Sequence, residues 1–334
     1  MANRLVTDII ERTAYLCNLN TDQAAVLHAA ANNLKTAQDA QALVQGLLGA
    51  RSFRLLLWGP PGSGKTFALR RLAEALVDRG GKSLYYLDAD RDSTPSRGFS
   101  PQIVQVPPML TIGSEEQCIA HIRTHVEMLI QQIGRGIDAA RGGSHSGYVM
   151  DSITSWAEVP WNTKTLLEMS ETFRKKDKMQ QQRTAGAVAS LIKSATISLY
   201  HATDGNLLKE TPQAPGPFVI ATIAHAKSEN SGYGTPHEKW VLSLGERTAE
   251  ALLAKVDYSL GFGLDTAPKQ KRSGYSFKYD QTTVPDVKAR LDTQEARDLA
   301  EKCAKTADVA GLVTGLYEMR VRDAIAHIAE QNPA

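Results

Sequence analysis

Residues 59–66 read Gly-Pro-Pro-Gly-Ser-Gly-Lys-Thr, and this octet constrains the fold more tightly than any other stretch of the chain. It fills every fixed position of the pattern G-x-x-x-x-G-K-[ST]. It also stands where such a loop works, after the short apolar run Phe53 to Trp58 and before a helical pattern from Lys65 to about Val77. The glycines permit the tight backbone that turns amide N–H groups toward phosphate oxygens, and the start of the next helix adds partial positive charge. Lys65 is expected to reach the β- and γ-phosphates of ATP, and Thr66 to hold Mg²⁺. The candidate nucleotide-binding residues are Gly59, Pro60, Pro61, Gly62, Ser63, Gly64, Lys65, Thr66 and Phe67.

Strand and helix patterns alternate around this loop. Ser83 to Leu87, Tyr148 to Asp151, Pro217 to Ala224 and Val256 to Leu260 read as strands. Ser114-Glu-Glu-Gln117 has the spacing of a capping box and opens a helix to about Ile133. Further helical patterns run through Val188, Leu191, Ile192 and Ile197, and from Gly245 to Lys255. A Pro-rich stretch from Thr94 to Pro108, a polar and basic segment from Trp161 to Arg183 and a polar loop from Lys227 to Lys239 separate them. The alternation predicts an α/β fold with a mostly parallel central sheet covered on both faces. The chain divides into three segments: an N-terminal helical module over 1–50, a core over 51–291, and a helical tail over 292–334.

With 334 residues, 42% of them hydrophobic, the chain can bury a sizeable core. A net charge of +2 with 22% charged residues excludes a strongly basic coat protein, so a nucleic-acid site must come from local basic patches. Cys17, Cys118 and Cys303 lie far apart and form neither a disulfide framework nor a metal-ligand spacing, which fits a reducing cytosol. The N-terminus lacks the apolar core of a signal peptide, and no window is apolar enough to span a membrane.

Tyr148-Val-Met-Asp151 is an apolar strand ending in a carboxylate. Beside a phosphate-binding loop such an aspartate orients the water shell of Mg²⁺; otherwise it caps the element after the strand. Thr66 and Asp151 are therefore the candidate metal residues. Ser152, not a glutamate, comes after Asp151, so the attacking water must be activated from elsewhere.

Taken together these segments resemble the RecA-like ATPases. Gly59 to Thr66 resembles their phosphate loop. Tyr86-Leu-Asp-Ala-Asp90 resembles their second strand, which ends in D-A-E, and Asp151-Ser-Ile-Thr their D-S-[VIL] strand end. Ile220-Ala-Thr-Ile-Ala-His225 resembles the strand whose terminal polar residue senses the γ-phosphate, and 245–257 the helix-then-strand unit after it. The likeness covers about residues 50 to 291 in order, and it is greatest to the compact phage-type members linked to single-strand annealing and recombination.

The resemblance implies a RecA-like core and Mg²⁺-dependent ATP hydrolysis. It gives Asp90 the water-polarising role, with Asp88 as the competing carboxylate, and makes His225 the γ-phosphate sensor. Lys288-Ala-Arg290 would reach a neighbour's ATP site as a trans-acting pair in a homo-oligomeric ring or filament, or else is a solvated surface pair. The catalytic candidates are thus Lys65, Asp90, Asp151, His225, Lys288 and Arg290.

The basic run Arg174 to Arg183 takes the position of one DNA-contacting loop, with Trp156 and Trp161 as stacking faces, and Lys227 to Lys239 that of the second, with Tyr233 between Gly232 and Gly234. Single-stranded DNA is the partner so implied. Glu168, Glu171, Asp177 and Glu229 weaken the electrostatic case, and a motor or switch acting on a protein is the alternative. A small-molecule kinase shares the glycine loop but needs a lid and an acceptor pocket for which the sequence carries no sign.

Overall fold

The apolar run after Ser52 is an interior strand of the central sheet. The computed structural model describes residues 2–32, 37–91, 97–108, 110, 113–201, 214–231, 237–244, 246–264, 276–279 and 287–331. The order is α1 (Ala2–Leu16), α2 (Thr21–Asn32), α3 (Ala37–Ala50), β1 (Ser52–Gly59), α4 (Lys65–Asp78), β2 (Leu84–Asp88), β3 (Phe99–Ile103), α5 (Glu115–Arg141), β4 (Gly147–Asp151), α6 (Ile153–Met169), α7 (Glu171–Arg174), α8 (Lys178–His201), β5 (Phe218–Ser231), β6 (His237–Leu242), α9 (Glu246–Lys255), β7 (Tyr258–Phe262), β8 (Phe277–Lys278), β9 (Lys288–Ala289), α10 (Gln294–Lys305) and α11 (Val309–Gln331).

The sheet runs β3-β2-β4-β5-β1-β7-β8. Its neighbours from β3 to β7 are parallel, while β8 and β9 pair antiparallel with β7, and β6 with β5. The fold is therefore α/β with a mixed, mostly parallel central sheet. Alternation along β1 divides the core in two. Leu55 and Leu57 face a layer built with α1–α4, α10 and α11, whereas Leu56 and Trp58 face one built with α5, α6, α8 and α9. Both faces are covered, so β1 carries the apolar run Leu55 to Trp58. Among the described residues no helix is long and apolar enough to cross a membrane.

Local chemistry explains several boundaries. Ser114 Oγ accepts from Gln117 N at 3.3 Å and Gln117 Oε1 from Ser114 N at 2.8 Å, which completes the predicted capping box. The helix it opens runs past Ile133 to Arg141. Part of the Pro-rich stretch forms β3; Pro101 lacks an N–H, and a strand that ends the sheet order tolerates that loss.

The segment read as polar and basic is largely helical. Ser170 Oγ caps α7, Asp177 Oδ1 accepts from Gln180 N at 2.8 Å, and Gln181 Nε2 bonds the carbonyls of Phe173, Arg174 and Lys176. These bonds stitch α7 to α8 where a loop was expected. Pro160 sits inside α6 and cannot donate to the Trp156 carbonyl four residues back. His125 Nε2 on α5 fills that place at 3.1 Å, and its ring stacks on Trp156 at 4.9 Å.

Candidate functional site

In the parallel register Gly59 stands beside His225, and Asp88 beside Asp151. The C-terminal ends of β1, β2 and β4 thus meet beside His225 of β5 on one edge of the sheet, the usual place for ligands in such folds.

Gly59 cannot carry a side chain, because a Cβ there would lie 2.2 Å from the Phe262 carbonyl oxygen of β7. Gly64 is left-handed at φ 90° and opens α4 without a side-chain cap, which leaves the helix's first amides for another partner. Lys65 is buried; its Nζ donates to the carbonyls of Gly59 at 2.9 Å and Pro60 at 3.0 Å, and to Ser63 Oγ at 3.4 Å. Phe67, the third residue of α4, is 58% exposed.

Thr66 Oγ1 donates to Asp151 Oδ2 at 2.8 Å, and the buried Tyr86 hydroxyl donates to the same oxygen. Burial pushes the Asp151 carboxyl above its ordinary value, and these two hydrogen bonds oppose the rise. Asp151 Oδ1 is buried without a hydrogen-bond partner. One threonine hydroxyl and one carboxylate with an unengaged oxygen suit Mg²⁺, a hard cation that takes few protein ligands and keeps water and phosphate oxygens. No cluster of three or more His, Cys, Asp or Glu that could hold a metal occurs among the described residues.

Asp90 lies just past β2 and bends over the end of β4. The amides of Ala89 and Asp90 both donate to the Asp151 carbonyl. Asp90 Oδ1 accepts from Ser152 Oγ at 2.8 Å and Ser152 N at 3.2 Å, and Oδ2 lies 3.4 Å from His225 Nε2. Burial alone would raise this carboxyl, but hydrogen bonds from His225, Ser155 and Ser152 outweigh it and hold the group well below the usual carboxylate range. Its side chain is 23% exposed, whereas Asp88 is buried. His225 N donates to Thr154 Oγ1 at 2.9 Å, which ties the middle of β5 to the first turn of α6. Sequence reasoning passed over Ser152, Thr154 and Ser155 as individual contributors. Their one signal was a cluster of hydroxyls just after a strand-ending aspartate.

Lys288 and Arg290 are not brought to this site. β9 pairs with the start of β7, Lys288 against Ser259, and Arg290 lies 3.3 Å from Asp257. Asp257 also receives a bidentate pair from Arg54 at 2.9 and 3.0 Å. Arg54 is five residues before Gly59 on β1, about 16 Å down the strand. The two cations therefore stand toward the far edge of the sheet from their own chain's loop.

The expected stacking face of Trp156 is corrected: that residue is 1% exposed and packed on His125. Trp161 is partly exposed and, with Thr154, Glu158, Asn162, Lys227 and Ser243, lines a cavity of about 350 Å³ next to His225. The first half of the expected 227–239 loop is strand, since β5 continues to Ser231 and pairs with β6. Gly232, Tyr233 and Gly234 lie outside the described residues.

No family model matches the chain, and no curated protein matches it. Fold and site together define its class: an α/β chain whose glycine loop, threonine–aspartate pair and aspartate–histidine pair meet at the carboxyl edge of a mostly parallel sheet.

Proposed function

We propose that this chain is a Mg²⁺-dependent, RecA-like ATPase that couples hydrolysis to single-stranded DNA in recombination or annealing. The observation that carries the reading is the Thr66–Asp151 hydrogen bond, 2.8 Å across 85 residues, directly beside the glycine loop. A chance glycine turn does not need a buried carboxylate from a distant strand aimed at its threonine.

In this reading the α4 amides and Lys65 bind the phosphates. Thr66 and Asp151 would hold Mg²⁺, which when bound draws charge from the phosphate oxygens. Asp90 orients the attacking water. A carboxylate held so far down is a poor proton acceptor, so its contribution is orientation rather than deprotonation. His225, beside Asp90, is the γ-phosphate sensor, and Lys288 and Arg290 serve the neighbouring subunit of a ring or filament. The partly exposed Trp161, with Lys227, offers a stacking face and a cation to a DNA strand.

The test is ATP turnover with and without single-stranded DNA, in wild type and Lys65→Ala. Stimulation by DNA in wild type, and no turnover in the variant, are expected. Wild-type turnover in Lys65→Ala overturns the ATPase reading. One observation favours a second reading, a motor acting on a protein: Trp156 is buried, and Lys176 of the basic run is paired with Glu115. Hydrolysis indifferent to DNA would select it.

A further inference from the structure

Asp151 has two hydroxyls on one oxygen, and only one of them belongs to the glycine loop. The other is Tyr86, which lies two residues before Asp88, the register partner of Asp151. Side chains alternate along a strand, so Tyr86 and Asp151 share a face of the sheet, one diagonal step apart and within reach of a long aromatic. The Tyr86 ring is fully buried and stacks on Phe99 of β3 at 4.2 Å and 28°. A phenylalanine would fill the same space. What tyrosine adds is one O–H, spent on Asp151 Oδ2.

We propose that Tyr86 is a positioning residue for the metal: by sharing Asp151 Oδ2 with Thr66 it fixes the carboxylate and leaves Oδ1 unengaged for a metal-bound water. This rests on reading the loop as a Mg²⁺–nucleotide site. Thr66 alone can hold one oxygen yet leaves the carboxylate free to turn about its Cβ–Cγ bond. A second donor, anchored in the sheet rather than in the loop, removes that freedom. It also stays in place when Thr66 shifts to meet a metal. Partners of metal ligands of this kind commonly affect metal affinity or activity by about 10–100-fold.

The experiment titrates Mg²⁺ into the full chain with a fluorescent ADP and reads the metal-dependent tightening of nucleotide binding. In Tyr86→Phe the midpoint is expected to rise about tenfold, while ADP affinity in EDTA matches wild type. In an Asp151→Asn background the same change should add nothing, because the hydroxyl acts through that carboxylate. A midpoint equal to wild type overturns the proposal, and so does a loss that simply adds to that of Asp151→Asn. If Tyr86→Phe does not fold, Phe99→Leu carries the test: it loosens the ring while keeping the hydroxyl, and an unmoved midpoint again overturns the assignment. A wild-type protein with no Mg²⁺-dependent step overturns both this proposal and the ATPase reading, whereas a normal wild-type step with an unchanged Tyr86→Phe midpoint overturns only this one.

Discussion

Among single residues, Asp90 and His125 give the sharpest predictions. Asp90→Asn keeps an acceptor for Ser152 but loses the charge that orients water. ATP affinity should stay near wild type while turnover falls by about 10²-fold, the cost of a misplaced reactant. A dead Asp88→Asn beside an active Asp90→Asn would transfer the role to the buried carboxylate. His125 must carry its proton on Nε2 to serve the carbonyl that Pro160 strands, and its Nδ1 is buried without a partner. Burial lowers its pKa from 6.5 to about 4. The unfolded imidazole therefore takes up a proton at higher pH than the folded one. The stabilisation is complete above 6.5 and is lost as pH falls toward 4, by at most about 3 kcal/mol. His125→Gln keeps an N–H donor but cannot titrate, so its urea midpoint should fall less steeply over that window. Equal slopes would count against the account. The loop residues were legible because their spacing is local. The Asp90–Ser152 contact spans 62 residues and depends on strand register, which no local pattern carries.

Elements show why the basic segments were read less well. The family resemblance implied a loop over 174–183, yet capping by Ser170 and Asp177 and the three carbonyl bonds of Gln181 make helical ends there. β9 is two residues long and visible only through its pairing with β7. Its position bears on the trans role of Arg290. Asp257 is already held bidentately by Arg54, and the Arg290 side chain is 65% exposed. Such an exposed pair is worth about 1 kcal/mol or less, so Arg290 can leave it for a neighbouring chain at little cost. Arg290→Ala should bind ATP but hydrolyse it slowly. Mixed with Lys65→Ala, it should regain activity, because its intact loop is served by its partner's arginine. A mixture as inactive as either parent, despite verified co-assembly, would remove the trans role, and normal hydrolysis by Arg290→Ala alone would make the pair a surface feature.

At the scale of the whole molecule, the two chain ends share one layer. α11 packs on α2, α3 and α4, so the helix that opens with Lys65 lies beneath the C-terminal one. Arg320 clamps the arrangement, donating to the Ser52 carbonyl at 3.1 Å with its guanidinium 4.6 Å over the Phe53 ring. An amphipathic pattern announces that a helix has a partner but not which one, so the sequence boundaries near 50 and 291 carried no hint of this closure. Val309, Leu312, Val313, Leu316, Tyr317, Val321, Ile325 and Ile328 are all buried. At about 1.5–3 kcal/mol for each large side chain, their loss is comparable to or larger than the ~5–15 kcal/mol stability of a typical domain. A chain ending after Lys305 should therefore be insoluble or lack a cooperative melt; a cooperative melt near that of the full chain would refute this dependence. β5 spans the molecule differently. One strand carries His225 at the sheet edge and runs on to Ser231 in the ribbon with β6, six residues and about 20 Å further. The antiparallel pairing starts at Ala226, one residue past His225, and Ser243 N donates to the His225 carbonyl at 2.8 Å, so the residue beside Asp90 is also the root of the ribbon.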